Sequence, residues 1–182
     1  MKETSIINEN AKIGKNVRIG HFCVIEDNVV LEDGVIVENY TFLHSNVKIG
    51  KNTLIRSFVE LRSGTVIGED CYIDSRVSSS GNCIIGNRVT LRYASIIARG
   101  VEIGDDTYVC PRVMTNNLDT GKEEIGGAKI GQSCFIGTNA VLHHGINIGS
   151  GTIIGTMSFV NKDCTNDRVF MGIPAKEFTK KK

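Results

Sequence analysis

The stretch LHSNVKIGKNTLIRSFVELRSGTVI, residues 43–67, places an aliphatic side chain at every sixth position: Leu43, Ile49, Ile55, Leu61 and Ile67. Outward from this stretch, the same spacing extends over residues 7–115 with one lapse at Ser79, and it resumes over residues 130–160. The residue four places after each aliphatic one is small or β-branched in nearly every repeat, and glycine often follows the aliphatic residue directly. Three features therefore share one period of six.

A period of six over so many units is typical of the left-handed parallel β-helix, in which each hexad forms one side of a triangular prism and three hexads form a coil. An amphipathic helix would need apolar residues three and four apart, and an ordinary strand would alternate every second residue. We predict a single all-β domain, residues 1–182, that forms a left-handed parallel β-helix of about eight triangular coils over residues 7–164.

The longest break in the period lies between Thr115 and Ile130, which are fifteen positions apart where a hexad needs six. About nine residues therefore leave the prism, and we predict an extruded loop over residues 116–128. Loops that project from a rigid scaffold often carry function, so the break points to a site. Beyond residue 164 the hexads fade, and we expect the C-terminal segment, residues 165–182, to fold back along the prism.

Composition indicates a cytoplasmic protein without a nucleic-acid or membrane partner. The chain is 41% hydrophobic with a net charge of +1. Its apolar runs are too short to span a bilayer, and the N-terminus lacks a signal h-region. Five of the six cysteines fall at the small inward position, Cys110 being the exception, and no C-x-x-C pair is present. We therefore expect reduced, packed thiols and no metal site.

The closing hexads, residues 130–163, and the segment VFMGIPAK, residues 169–176, resemble the hexapeptide acyltransferases, which use acetyl-CoA or a related thioester. His21 and Phe22, and Thr115 with the following asparagines, are similar to motifs of the sugar-nucleotide 3-amino N-acetyltransferases within that family. The chain lacks the Pro-Arg that those enzymes carry after the asparagines, so the sugar stays open. The resemblance implies an acetyltransferase that acts on an amino group of a nucleotide-linked sugar.

Candidate site residues follow from the phase of the hexads and from the resemblance. When the extra residues of the loop are left out of the count, Asn116 and His143 fall at one corner on adjacent coils. His144 occupies the position where several hexapeptide acyltransferases carry their catalytic histidine, and His143 is a candidate to orient the acceptor. Asn116 and Asn117 are candidates to accept a hydrogen bond from the substrate. The motif makes His21 a further candidate to bind substrate. The alternative is that these are exposed corner and loop-entry residues.

The resemblance also implies a homotrimer with acetyl-CoA as co-substrate, bound along the later coils between two subunits. Candidate contacts to acetyl-CoA are Gly137, Gly155, Thr156 and Lys176, and the terminal lysines 180–182 are open to the same role or to a solvated tail.

Three other functions stay open. The first is O-acetylation of a sugar, antibiotic or amino-acid hydroxyl, and the second is a non-catalytic β-helix scaffold. The third is a γ-class carbonic anhydrase, which shares this fold and needs three zinc-binding histidines. Asn139 stands where that family has a histidine five residues before His144, so the ligand set would be incomplete.

Overall fold

A computed structural model describes residues 4–178 as a stack of triangular coils bounded by three β-sheets. Almost all strands are two residues long, and the described residues contain no helix. Strands of successive coils pair in parallel, as Phe42 does with Glu60. The chain therefore forms the predicted left-handed β-helix. The first sheet has nine strands, so a ninth coil begins after the eight that were expected.

The first sheet contains β1 (Ile6–Ile7), β4 (Val24–Ile25), β7 (Phe42–Leu43), β10 (Glu60–Leu61), β13 (Ser78–Ser79), β16 (Ile96–Ile97), β19 (Met114–Thr115), β22 (Val141–Leu142) and β25 (Phe159–Val160). The second sheet contains β2 (Lys12–Ile13), β5 (Val30–Leu31), β8 (Lys48–Ile49), β11 (Val66–Ile67), β14 (Ile84–Ile85), β17 (Glu102–Ile103), β20 (Lys129–Ile130) and β23 (Asn147–Ile148).

The third sheet contains β3 (Arg18–Ile19), β6 (Ile36–Val37), β9 (Leu54–Ile55), β12 (Tyr72–Ile73), β15 (Thr90–Leu91), β18 (Tyr108–Val109), β21 (Phe135–Ile136), β24 (Ile153–Ile154), β26 (Val169–Gly172) and β27 (Ala175–Glu177). We call the edge between the first and second sheets the first corner, the edge between the second and third the second corner, and the edge between the third and first the third corner.

The interior is filled by the second residue of each strand, which alternation in a strand turns to the face opposite its neighbour. Leu43, Ile55 and Ile73 are fully buried, as are most members of this column beyond the first coil. Ser79, the one lapse, is also buried, and its hydroxyl lies 2.8 Å from Thr65 Oγ1 while accepting a hydrogen bond from the backbone N–H of Arg62. A serine is tolerated inside the prism because its hydroxyl is satisfied there.

The small inward positions also stabilise the corners. Thr53 Oγ1 donates to the Gly68 carbonyl at 2.8 Å, and the Cys71 thiol donates to the Gly86 carbonyl at 3.1 Å. All six cysteines are buried and free. Burial raises the pKa of the Cys164 thiol to about 11, with Asp163 adding to the effect. Threonine and cysteine are therefore interchangeable here because each supplies a short side chain with one donor.

Glycine dominates the second corner because successive coils approach closely there. A Cβ on Gly104 would lie 2.6 Å from the backbone nitrogen of Gln132, and one on Gly50 would lie 2.6 Å from the carbonyl carbon of Gly68. Neither distance is possible between unbonded atoms of a relaxed fold. The glycines in phase with the hexad are thus required by coil stacking.

The third corner carries an ion-pair ladder and an aromatic ladder. Arg56 Nη1 lies 2.7 Å from Glu38 Oε1, and Arg92 Nε lies 3.1 Å from Asp74 Oδ2. In the same corner the exposed rings of residues 22, 40 and 58 stack with centroids 5.1 Å apart. Ion pairs at this exposure each contribute little to stability.

The C-terminal segment differs from its expectation. Instead of folding back along the prism, β26 pairs in parallel with β24 and extends the third sheet, and β27 turns back on β26 as an antiparallel hairpin. The hexad pattern ends here because a hairpin strand no longer has to fill the interior of a coil. Lys180–Lys182 lie outside the described residues.

Candidate functional site

The long loop leaves the prism at the first corner and forms a small hairpin there. Strand β19 ends at Thr115 and β20 begins at Lys129, so residues 116–128 connect them as predicted. Leu118 and Glu124 form an antiparallel bridge. Within the turn, the Asp119 side chain accepts a hydrogen bond from the backbone N–H of Glu123 at 2.9 Å. The loop therefore has an internal structure of its own.

Several contacts hold the hairpin against the prism. The backbone carbonyl of Asn117 accepts hydrogen bonds from the N–H groups of Ile125 and Gly126, at 2.9 and 3.3 Å. The N–H of Gly145, one coil later, donates to the carbonyl of Gly126 at 3.0 Å. A Cβ on Gly145 would lie 3.1 Å from Ile125 Cγ2, so glycine leaves room for the loop. The hairpin is therefore anchored directly beside the two histidines.

The structure confirms that Asn116 and His143 lie on adjacent coils. Thr115 pairs with Leu142, and the Asn116 N–H donates to the Leu142 carbonyl at 3.0 Å. Continuous pairing across 27 positions of sequence shows that the loop does not disturb the ladder. Asn117 follows on the same turn, so four polar residues, 116, 117, 143 and 144, converge at one corner.

The histidine rings pack on each other with centroids 3.9 Å apart, and the His143 ring meets Phe159 edge-on at 5.8 Å. Both rings are half-buried. Burial lowers the pKa of His143, and the neighbouring ring of His144 lowers it further. His143 is therefore mostly neutral near pH 7 and can accept a proton. Nδ1 of His144 is buried without a hydrogen-bond partner among residues 4–178.

The two asparagine side chains are available to a ligand. Both residues are half-buried, and within the described chain their backbone groups, not their side-chain amides, form the hydrogen bonds that shape the corner. A neutral amide offers one carbonyl acceptor and two N–H donors. At the entry to the loop these groups can hold an amine or a hydroxyl without adding charge.

Other predicted residues lie elsewhere. His21 is in the third corner near the start of the prism, exposed, with Nδ1 2.8 Å from Thr4 Oγ1. Gly137, Gly155 and Thr156 also lie in the third corner, at the opposite edge of the first sheet from Asn116. A Cβ on Gly155 would lie 2.8 Å from Met171 Cβ, so packing of the C-terminal hairpin accounts for that glycine. Their ligand-binding roles stay predictions.

Lys176 is exposed on β27, opposite Met171 in the hairpin. It therefore lies outside the prism interior, on the third sheet, which does not border the first corner. Its contact with a phosphate stays a prediction.

A second polar cluster lies at the first corner on earlier coils, around His44. His44 Nδ1 lies 3.5 Å from Glu26 Oε2, and His44 Nε2 lies 3.3 Å from Glu60 Oε1. Arg62 Nε lies 3.3 Å from the same Glu60 oxygen. Glu26, His44 and Arg62 are spaced eighteen residues apart, so they lie in one column of this corner. Glu60 is the outward residue of β10, and its side chain reaches the corner to contact His44 and Arg62.

Within residues 4–178, no group of three or more histidine, cysteine, aspartate or glutamate side chains has the geometry to hold a metal ion. A search of the same residues for a helix long and apolar enough to cross a membrane finds none.

Parts of the sequence match known protein families and a characterised acetyltransferase. Residues 127–162 match the model of the bacterial transferase hexapeptide (six repeats), and residues 1–77 match that of the GMPPB C-terminal domain. The chain is 37% identical over 59 residues to a chloramphenicol acetyltransferase of Morganella morganii. That alignment covers 32% of this chain and 28% of the relative, so it spans little more than a quarter of that protein.

Solved structures match over nearly the whole chain. A UDP-N-acetylglucosamine acyltransferase is similar with a TM-score of 0.85 at 28% identity, over 96% of this chain and 71% of that one. The UDP-N-acetylglucosamine O-acyltransferase of Moraxella catarrhalis is similar with a TM-score of 0.78 at 23% identity, over 96% of this chain and 72% of that one. The second likeness shows the fold alone.

Proposed function

Because the chain belongs to the hexapeptide-repeat acyltransferases, we propose that it transfers an acyl group from a thioester donor to an acceptor held at the first corner. The observation that carries this proposal is the convergence of a neutral histidine, a second histidine and two loop-entry asparagines beside an anchored loop. Acyl transfer needs a proton acceptor near the nucleophile and polar groups that orient it, and this corner offers both.

The finer proposal is that the donor is acetyl-CoA and the acceptor is an amino group on a nucleotide-linked sugar. The acetyltransferase relative supports the acetyl donor, and the similar UDP-N-acetylglucosamine acyltransferase supports a sugar nucleotide. The motifs at His21 and at Thr115–Asn117 support the amine. A neutral amide such as that of Asn116 suits an amine acceptor, because it accepts a hydrogen bond without holding the nitrogen in its protonated form.

In the reaction, the acceptor nitrogen attacks the thioester carbonyl carbon. The C–N bond forms, the C–S bond breaks, the nitrogen loses one proton and the departing sulfur gains one. The lowered pKa favours His143 as the group that takes this proton, whereas the sequence motif favours His144. Backbone N–H groups stabilise the negative charge that develops on the carbonyl oxygen.

A homotrimer would complete the binding cleft, and the outer faces of the prism support this proposal. The first and third sheets present exposed apolar side chains, among them Ile96, Met114, Phe135 and Ile153 at 38–43% exposure. The second sheet presents charged residues such as Lys48, Glu102 and Lys129 around one exposed isoleucine, Ile84. Packing the first sheet of one copy on the third sheet of the next would bury both apolar faces and leave the first corner at the rim of the interface. The molar mass in solution tests the trimer.

A thiol-release assay with acetyl-CoA and a panel of amino-sugar nucleotides tests the function. We expect turnover with at least one acceptor and CoA binding by calorimetry. Replacement of His143 or His144 by alanine should lower kcat with little change in binding, and Lys51→Ala, exposed on the second corner, should leave both unchanged. No turnover with any acceptor and no CoA binding would refute the proposal.

A hydroxyl acceptor is the second candidate, and the neutral state of His143 favours it. A hydroxyl must lose its proton as it attacks, so removal of the base should lower kcat by about 10²-fold or more. An amine that is already neutral needs the base less. Matched amino and hydroxy sugar nucleotides, assayed with the wild type and with the double variant His143→Ala, His144→Ala, therefore distinguish the two reactions.

A further inference from the structure

Below the loop, the first corner contains a notch created by residue size. The residues that follow successive first-sheet strands are large at His44 and Arg62, small at Ser80 and Ala98, and polar again at Asn116. Strands of neighbouring coils are about 4.8 Å apart, so two small residues in succession open a gap of about 10 Å along the prism. A cavity of about 420 Å³ occupies the Ser80 part of this gap, whereas Ala98 is buried and does not line it.

The two ends of the notch each present an arginine. Arg62 stands at the lower end and Arg99 at the upper end, and both line the cavity. Arg62 uses Nε to reach Glu60 at 3.3 Å, and Arg99 uses Nε to reach the loop residue Glu124 at 3.9 Å. Each carboxylate thus approaches one edge of a guanidinium group. Within the described residues, the terminal nitrogens of both groups have no hydrogen-bond partner and remain available.

Between the arginines the notch is lined by neutral donors. Ser63, Ser80 and Asn82, whose side chains carry hydroxyl and amide donors, line it, and His44 lies at its lower end. Glu60 also lines the cavity, but it is engaged by both His44 and Arg62. Two guanidinium groups with hydroxyl and amide donors between them form a set of groups that suits phosphate oxygens, since arginine binds phosphate in a bidentate manner.

We propose that this notch binds the phosphate groups of the nucleotide-linked acceptor. Ser80 lies two coils from Asn116 in the same column, so a sugar held at Asn116 and His143 could place its linked phosphates in the notch beside Arg99 and Ser80. Arg99 would contact the phosphate nearer the sugar and Arg62 the phosphate nearer the nucleoside. The Arg99–Glu124 pair would couple this subsite to the loop. The inference rests on the proposed function, whose acceptor it describes more closely.

Calorimetry with inorganic pyrophosphate and with UDP as probes, at low ionic strength and without an acyl donor, tests the notch. Arg62→Gln and Arg99→Gln should each weaken binding of both probes by about 10-fold, because each removes a charge-assisted hydrogen bond. Arg62→Lys should recover part of the affinity, since it keeps the charge but loses the fork. Arg112→Gln, exposed on the third corner, is the matched control and should bind as the wild type does.

Equal binding by all four variants and the wild type, or no binding of either probe, would overturn the proposal. Kinetics separates this failure from failure of the proposed function. If a sugar nucleotide is acylated with the same KM by the wild type and by the Arg62→Gln, Arg99→Gln double variant, the function stands and the notch is not its phosphate subsite. If pyrophosphate binding depends on both arginines but no acceptor is acylated, the notch stands and the acyltransferase proposal falls.

Discussion

Two adjacent isoleucines in one strand test which strand residues face the interior of the prism and which face outward. In β14, Ile85 is 3% exposed and faces the interior, whereas Ile84 is 54% exposed on the outer face of the second sheet. Ile85 is paired with Ile67 on one side and Ile103 on the other, so it sits within the apolar column. Replacement of each isoleucine by alanine removes the same three carbon atoms from the two different environments.

The structure gives the size of the difference. Three buried carbons at about 0.8 kcal/mol each amount to about 2.4 kcal/mol of lost transfer free energy. The cavity left inside the prism raises the cost of Ile85→Ala to about 3–4 kcal/mol. Ile84 is already half in water and its removal leaves no enclosed cavity, so Ile84→Ala should cost about 1 kcal/mol or less.

Thermal unfolding followed by circular dichroism measures both variants against the wild type. At about 2–4 °C per kcal/mol for a chain of this size, Ile85→Ala should lower the Tm by about 6–16 °C and Ile84→Ala by no more than about 4 °C. Equal shifts, or a larger shift for Ile84→Ala, would refute the assignment, because a slip of one residue exchanges the two faces of a strand.

Three further predictions concern the second corner, the thiols and the histidine pair. Gly104→Ala should destabilise the fold by about 1–3 kcal/mol because the new Cβ would overlap the next coil, whereas Gly121→Ala in the exposed loop should cost less. Chemical denaturation measures the free energy of unfolding of both variants, and equal losses would contradict the packing argument. The native protein should react little with a thiol reagent at pH 8, since Cys164 has a pKa of about 11 and every thiol is buried, and all six should react in denaturant. The acid limb of kcat/KM should lie below about pH 6.5, because the lowered pKa of His143 keeps the ring neutral until the pH falls through it; a midpoint at or above that value would exclude His143 as the base.

Much of the fold was predictable because one period fixes the phase of every residue. Once the side chain at Leu43 faces inward, the positions of Thr53 and Gly50 relative to the interior and the second corner follow from counting. The same count, with the loop removed, predicted that Asn116 lies beside His143.

What the period could not predict is how side chains and non-repeating segments arrange themselves. The hairpin of the loop depends on local bonds such as that of Asp119, and no hexad describes it. The C-terminal hairpin was unexpected because its strands follow no inward column. The notch was not predicted because it depends on where the side chains of Arg62 and Arg99 lie on either side of Ser80, and the hexad does not specify side-chain positions.

The uninterrupted ladder beneath the loop has a consequence for how such a protein can acquire a new acceptor. Thr115 and Leu142 pair as residues of neighbouring coils do elsewhere, although they are 27 positions apart in sequence. Pairing of the coils therefore does not depend on the length of the loop at this corner. The loop can therefore be lengthened, shortened or exchanged at little conformational cost to the coils, because closure entropy grows slowly with length. Changes in the loop can therefore reshape one wall of the site while the coils keep corner residues such as His143 and Arg99 in place.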